Sequence, residues 1–252
     1  MLPPFDIPAG SFTLVTDELA APADFLIHQV VNGYIKEHPR PGRGAQVGEE
    51  SSSPKVVILS ANADIAKWKA VSSKHGVNLP LHISSGVVKF VDIASQCSLS
   101  EVSEPRLSAT FDVVSGLLPS KAPTSGNVVI LDDVSTLEWI GFSPLDIIRF
   151  VRALRIACHK SKSTLIARYH ITIPGEIDNQ LTQLLTVCTY HLDVRPLYSG
   201  RSGAVTGEIA LHRGAAAPPD DVKLIRRSGS LQYRLLDTGP VYFQKGTSEG
   251  VL

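Results

Sequence analysis

Two adjacent aspartates, Asp132 and Asp133, follow four apolar residues in the segment NVVILDDVSTLEWIG (127–141). A carboxylate at the end of a buried strand holds Mg²⁺ in many nucleotide-hydrolysing folds. The alternative interpretation is structural, because aspartates also accept backbone hydrogen bonds where a strand ends and a turn begins. The choice depends on whether the sequence also supplies a site for phosphate.

The loop that should bind phosphate follows the first predicted strand and reads TDELAAPAD (16–24). Phosphate-binding loops surround the phosphates with glycines, backbone N–H groups and a lysine. This loop has no glycine or lysine, and Pro22 lacks an N–H group. Asp17, Glu18 and Asp24 place negative charge where a triphosphate needs positive charge. No GxxxxGK[ST] motif occurs elsewhere in the chain. We therefore favour the structural interpretation of the aspartate pair.

Signatures of other enzymes are weak. Gly141-Phe142-Ser143 lacks the second glycine of a nucleophile elbow, and Ser143 is well placed to cap a helix. The eight histidines are scattered, and His170 lies at a predicted strand end, where histidine is more often a structural hydrogen-bonding residue than a base. We predict no catalytic residue, no metal site and no cofactor.

The composition is that of an ordinary globular protein. Of 252 residues, 43% are hydrophobic, and 24 basic residues balance 24 acidic ones. Zero net charge argues against a dedicated nucleic-acid-binding protein. Three widely spaced cysteines without a CxxC motif favour a reducing compartment. No apolar run approaches the roughly 18 residues that span a bilayer, and no lysine or arginine precedes Lys36, so no signal peptide is expected. We predict a cytoplasmic protein without a membrane segment, with the nucleus as a second location.

Apolar runs alternate with amphipathic segments along most of the chain. We predict strands at 12–17, 55–60, 86–93, 128–133 and 163–170, each followed by a helix, with Asn62 as the cap of the second helix. Later apolar runs at 192–197, 208–211 and 231–243 have no long helix between them, and an Asp-Thr-Gly turn at 237–239 predicts a hairpin.

This order predicts an α/β fold with a mostly parallel central sheet, helices on both faces and an antiparallel C-terminal hairpin edge. We expect a single domain over residues 1–252. Residues 37–54, rich in proline, glycine and serine, should form a flexible surface insertion within it.

One predicted helix carries a basic stripe. Arg149, Arg152, Arg155 and His159 lie within about a third of a turn on the helix that starts at Ser143, at roughly 100° per residue. Cations near a helix C-terminus interact favourably with the helix dipole, so a solvated face is the favoured interpretation. A contact with a partner or with RNA is the alternative.

A second candidate contact is the loop YSGRSG (198–203), in which Arg201 lies near an aromatic residue. Such loops suit contact with phosphate and bases. They are also common as plain surface loops, which we favour here.

Several of these segments together resemble the Elongator complex protein 6 family. LDDVSTL (131–137), followed by Gly141 and DIIRFVRALR (146–155), is similar to the middle of that family. TLVTDELAAPADFLIHQVV (13–31) is similar to its first strand and helix, and PVYFQKGTSEGVL (240–252) to its ending. The similarity covers most of the chain apart from the insertion.

The resemblance implies a RecA-like domain that has lost its nucleotide-binding motifs. It also implies a heterohexameric ring with Elongator subunits four and five, which associates with the catalytic Elongator subunits. That ring binds tRNA and supports modification of its wobble uridine. The resemblance assigns no RNA-contacting residue, so Arg149, Arg152, Arg155 and Arg201 remain the candidates for tRNA or partner contact.

Two alternatives stay open. The first is an NTPase with a degenerate nucleotide site, or one that a neighbouring subunit completes. The second is a small-molecule enzyme on a doubly wound sheet, such as a methyltransferase, although no glycine-rich turn follows the first strand.

Overall fold

Nine strands and eight helices form within the residues that the computed structural model of the protein describes, namely 4–5, 7–37, 54–98, 107–119, 126–176, 178–200, 202, 204–219, 222–237 and 239–245. The strands are β1 (Phe12–Glu18), β2 (Val56–Ser60), β3 (Val88–Asp92), β4 (Val128–Asp132), β5 (Thr164–Ile171), β6 (Tyr190–Arg195), β7 (Gly207–Arg213), β8 (Leu231–Leu236) and β9 (Gly239–Gln244). The helices are α1 (Asp24–Glu37), α2 (Ile65–Lys74), α3 (Leu79–Ser84), α4 (Ile93–Ser98), α5 (Leu107–Leu117), α6 (Val134–Ile140), α7 (Pro144–Lys160) and α8 (Asn179–Val187).

All nine strands belong to one sheet with the order β3-β2-β4-β5-β1-β6-β7-β8-β9. Neighbours from β3 to β6 pair in parallel, and β6 to β9 pair antiparallel. The predicted α/β fold, with a mostly parallel sheet and an antiparallel C-terminal hairpin edge, is therefore confirmed.

The central strands are buried on both faces, as their unbroken apolar runs indicate. Every residue of β1, β2 and β4 is buried. Successive side chains alternate between two cores: Val15 packs with α1, α2 and α3 on one face, and Leu14 packs with α5, α6, α7 and α8 on the other. This alternation, which every strand requires, leaves the ends of the strands as the places where polar groups can gather.

The structure confirms one predicted helix cap and corrects another. Ser143 caps α7 and accepts a hydrogen bond from the N–H of Asp146 at 3.2 Å, with proline at the first helical position. The prediction that Asn62 caps α2 was wrong. Asp64 is the cap, because it directly precedes the first helical residue and accepts from the N–H of Lys67 at 2.9 Å.

Three short helices were not predicted, namely α3, α4 and α6. Each has six or seven residues, which is too short for the helical period to stand out from a turn. Residues 38–53 lie outside the described residues, so the predicted insertion stays a prediction. None of the helices described could cross a bilayer, given their length and polarity.

Gly214, which follows β7, lies where the backbone approaches another segment closely. A Cβ atom there would clash with the carbonyl oxygen of Cys188, whereas a Cβ on Gly33 in α1 would meet nothing within 4 Å. We expect Gly214→Ala to lower the free energy of unfolding by about 1–3 kcal/mol through overpacking. The matched change Gly33→Ala should raise it by about 0.5–1 kcal/mol, because alanine favours a helix. Urea unfolding of both variants measures this, and equal effects would contradict it.

Candidate functional site at the carboxyl edge of the sheet

The carboxyl ends of β1, β4 and β5 meet at one edge of the sheet because the three strands run in parallel. In this register Val15 of β1 lies beside Arg168 of β5, and β4 ends at Asp132. Open α/β sheets bind their ligands at this edge. The sequence predicted aspartates at the ends of β1 and β4, and the structure adds an arginine between them.

Arg168 is the centre of a buried ion cluster. Its Nε donates to Oδ2 of Asp17 at 3.0 Å, and its Nη1 donates to Oδ1 of Asp132 at 3.1 Å and to Oδ1 of Asp24. The Arg168 side chain is only 5% exposed, and that of Asp17 is fully buried. A planar guanidinium can serve several carboxylates at once, which a lysine ammonium could not do with the same geometry.

One guanidinium cannot fully compensate three carboxylates. Burial raises the pKa of Asp132 to about 6, although Arg168 acts in the opposite direction. Burial alone would lower the pKa of Arg168, but the carboxylates of Asp17 and Asp132 outweigh it and raise that pKa. A hydrogen bond between Asp17 and Nδ1 of His170, at 3.0 Å, raises the pKa of His170. The cluster therefore keeps its arginine charged and carries excess negative charge.

The two adjacent aspartates have different roles. Asp132 belongs to the ion cluster. Asp133 caps α6, because its carboxylate accepts from the N–H of Thr136 at 2.8 Å and from the hydroxyl of Ser135 at 2.6 Å. For Asp133 the geometry agrees with the structural interpretation of the sequence.

The loop after β1 uses its own backbone donors. The N–H of Ala21 donates to the carbonyl of Glu18 at 2.9 Å, and the N–H of Ala23 donates to the carboxylate of Asp17 at 2.6 Å. Pro22 between them has no N–H. Three consecutive positions of the loop thus have no free N–H group for a phosphate.

A second buried carboxylate lies on the neighbouring strand β6. Asp193 pairs with Nε of Arg195 at 3.0 Å and with Arg227. Beside it, Nε2 of His191 and the hydroxyl of Thr16 share a hydrogen bond of 2.7 Å. Burial lowers the pKa of His191 to about 3, so this histidine is neutral in the folded protein. Within the described residues, no group of three or more His, Cys, Asp or Glu side chains has the arrangement of a metal site.

The residues of the predicted basic stripe differ in exposure. Arg149 and Arg152 are exposed, and Arg149 pairs with Asp146 at 3.5 Å. Arg155 is half-buried and lines a separate cavity of about 310 Å³ together with His159. Arg201 lies outside the described residues, while Tyr198 in the same loop is fully exposed.

Sequence reasoning missed Arg168 altogether. A signal was present, because Arg168 is the only charged residue in the apolar strand segment STLIARY (163–169). A charge at such a position is rarely buried without a partner. The partners lie 36 to 151 residues away in sequence, so only the strand order identifies them.

Replacing Arg168 with methionine tests the cluster. The carboxylates would lose their counter-charge, so the free energy of unfolding at pH 8 should fall by about 3–5 kcal/mol. The loss should shrink towards pH 5. The pKa of Asp132 is higher in the folded protein than in the unfolded chain, so its negative charge destabilises the fold above about pH 6. Protonation at lower pH removes this destabilisation. In Arg168→Met the destabilisation should be larger, because no guanidinium offsets the charge.

Denaturant unfolding at both pH values measures the effect of Arg168→Met. The control is Arg149→Met at the exposed ion pair, where we expect a change below about 1 kcal/mol. A loss that is independent of pH, or no larger than in the control, would show that the cluster is not electrostatically stabilised.

The chain matches no protein-family model. It is 24% identical over 265 residues to Elongator complex protein 6 of Xenopus laevis, covering 96% of this chain and 93% of that protein. It is 25% identical over 275 residues to Elongator complex protein 6 of Xenopus tropicalis, with the same coverage.

Among solved structures, the chain is similar to a KaiC-like protein from the hyperthermophilic archaeon Pyrococcus horikoshii. The TM-score is 0.59 at 10% identity, with 94% of this chain and 91% of that chain covered. At this identity the likeness concerns the fold. The comparisons confirm the resemblance that the motifs indicated: the chain has a RecA-like fold and is similar to Elongator complex protein 6 over almost its whole length.

Proposed function

We propose that the protein is a non-catalytic structural subunit of an Elongator complex. The observation that carries the proposal is the Arg168 cluster, which fills the edge of the sheet where nucleotide-hydrolysing members of such folds hold phosphate and Mg²⁺. The similarity to Elongator complex protein 6 along the chain supports the choice of complex.

The chemistry of the edge is unsuited to a nucleoside triphosphate. A triphosphate needs donors and positive charge, but the guanidinium of Arg168 is already shared among three carboxylates. The N–H groups of Ala21 and Ala23 are engaged within the loop. A bound nucleotide would have to break these interactions and then face uncompensated carboxylates, which costs several kcal/mol per buried ion.

Exposed apolar side chains surround the same edge and suit a protein partner. Leu19 follows β1, Trp139 lies in α6 directly after β4, Ile173 follows β5 and Tyr198 follows β6. Leu19 is 84% exposed and Trp139 78%. Large apolar side chains around a polar centre are typical of interaction sites, and tryptophan and tyrosine often dominate binding energy.

The finer proposal is that this edge, defined by Leu19, Trp139, Ile173 and Tyr198, contacts a neighbouring subunit in a heterohexameric ring. Elongator subunits four and five are the proposed neighbours, and the catalytic Elongator subunits are further partners. The assembled ring binds tRNA and supports wobble-uridine modification, in the cytoplasm and the nucleus. Arg149, Arg152, Arg155 and Arg201 are the proposed contacts with tRNA or a partner.

A nucleotide site completed by a neighbouring subunit is the second candidate, because Asp132 still occupies the strand end where a metal ligand would lie. Titration calorimetry with ATP and Mg²⁺ separates the two. We expect no binding at ATP concentrations up to about 1 mM, whether the chain is alone or in complex with subunits four and five, since most enzymes work with affinities below that value. Binding by the complex that Asp132→Asn abolishes would support the second candidate and contradict ours.

Assembly itself can be tested at the apolar edge. Leu19→Asp with Trp139→Asp should prevent co-purification with subunits four and five, because both side chains would place unpaired charge in the contact. Thermal stability of the isolated chain should change little, since both residues are exposed. Leu224→Asp is the matched control, because Leu224 is 39% exposed and lies next to a residue that pairs with β7 rather than at this edge. An intact complex with the double variant would refute this use of the edge.

A further inference from the structure

A groove between α5 and α7 lies apart from the carboxyl edge. It has a volume of about 450 Å³, roughly three times that of an engineered cavity that holds benzene. It is formed by the C-terminal half of α7, which leads into the start of β5, so it lies towards the opposite end of the sheet. Its apolar lining consists of Phe111, Leu118, Pro119, Ala153, Ile156 and Ala157.

The apolar lining of the groove is partly open to solvent: Ile156 is exposed, and the other apolar residues of the lining are partly buried. Ile156 is 55% exposed and lines the groove together with Phe111, which packs against the core below it. A large aliphatic side chain on the rim of an apolar groove gains free energy when a partner covers it. The groove is therefore suited to receive apolar side chains from another molecule.

Basic residues lie on the same side of α7 as the apolar residues that line the groove. Arg152, Ile156 and Lys160 follow each other at intervals of four, and so do Arg149 and Ala153. Residues four apart lie on one side of a helix, so positive charge flanks the apolar positions at both ends. Arg152 and Lys160 are exposed.

Among the described residues of α5 and α7, acidic side chains are fewer than basic ones. Asp112 is the acidic residue of α5 and Asp146 that of α7. Asp146 is engaged with Arg149 one turn from its own helix start. The groove therefore has an apolar floor and a net positive rim.

We propose that the α5–α7 groove binds an amphipathic helix of a partner protein, with carboxylates flanking its apolar face. The walls are themselves helices, whose ridges at spacings of three and four residues accept a third helix. The basic rim selects acidic flanks by charge complementarity. RNA would leave the apolar floor uncovered, because it binds through phosphates and through bases stacked on exposed aromatic rings, and the single aromatic residue of the lining, Phe111, is partly buried. This inference rests on the proposed assembly role and names a second contact for it.

Two synthetic peptides provide the probe. Both carry the same leucine face at helical spacing and a fluorescent label, one with glutamates and the other with lysines along its flanks. Fluorescence anisotropy with the full chain at low salt should show at least tenfold tighter binding of the glutamate peptide. Higher salt should reduce this difference, because the charges at the rim are exposed.

Variants then locate the binding site. Ile156→Glu should weaken the glutamate peptide by about tenfold or more, as expected for the loss of one buried aliphatic contact. Lys160→Glu should weaken it several-fold and favour the lysine peptide. Val113→Glu is the matched control on α5, because Val113 is 40% exposed but does not line the groove; we expect no change.

The outcomes decide the inference. Absence of binding, equal binding of the two peptides, or an equal effect of Val113→Glu would refute it. So would binding of a uridine oligonucleotide that is lost in Lys160→Glu but unaffected by Ile156→Glu, since the surface would then contact RNA. If peptide binding fails while the Leu19/Trp139 variant still loses its partners, only this inference fails. If peptide binding holds while that variant assembles normally, only the proposed use of the carboxyl edge fails.

Discussion

The ion cluster of Arg168 with Asp17, Asp24 and Asp132 is the interaction on which the carboxyl edge of the sheet depends. It joins β1, β4, β5 and the start of α1 through one side chain. Asp17 and Asp132 are buried and Asp24 is partly buried, so the guanidinium offsets part of the cost of removing their charges from water. Such a cluster is weak evidence for high stability, because desolvation offsets much of the attraction. The cluster does fix the arrangement of the strand ends relative to one another.

That geometry has consequences for function. A nucleotide site needs free N–H groups, a cation and room for phosphates, and at this edge the donors and the positive charge are already used inside the protein. This use of the donors and of the positive charge supports the proposed non-catalytic role of the edge. The exposed side chains of Leu19 and Trp139 at this edge suit contact with a neighbouring subunit, because such a contact would remove apolar surface from water.

Charge is distributed unevenly over the two proposed contact surfaces. The carboxyl edge combines apolar side chains with excess negative charge, whereas the α5–α7 groove combines an apolar floor with a positive rim. The chain as a whole has no net charge, so its composition does not reveal this uneven distribution of charge. Two surfaces of opposite character suit two different partners, as the proposed assembly role requires.

The alternation of the strands with the longer helices could be predicted from the sequence, because the periods of apolar residues are local. The sequence identified β1, β2, β4 and the hairpin of β8 and β9, the capping of α7 by Ser143, and the poor fit of the loop at 16–24 to phosphate. It did not identify α3, α4 and α6, which are too short to show a period, and it placed the cap of α2 two residues early at Asn62.

Which distant charges meet depends on how the strands are ordered in the sheet. Arg168 and Asp17 are 151 residues apart in sequence, and they become neighbours only because β5 is inserted beside β1 in the sheet. The basic residues of α7 also differ in their surroundings: Arg152 is exposed, whereas Arg155 is half-buried and lines a cavity with residues at the starts of β1 and β6. The pattern of apolar residues in each element depends only on the sequence of that element. The contacts of a charged side chain depend instead on which elements pack together, and this is a property of the whole sheet.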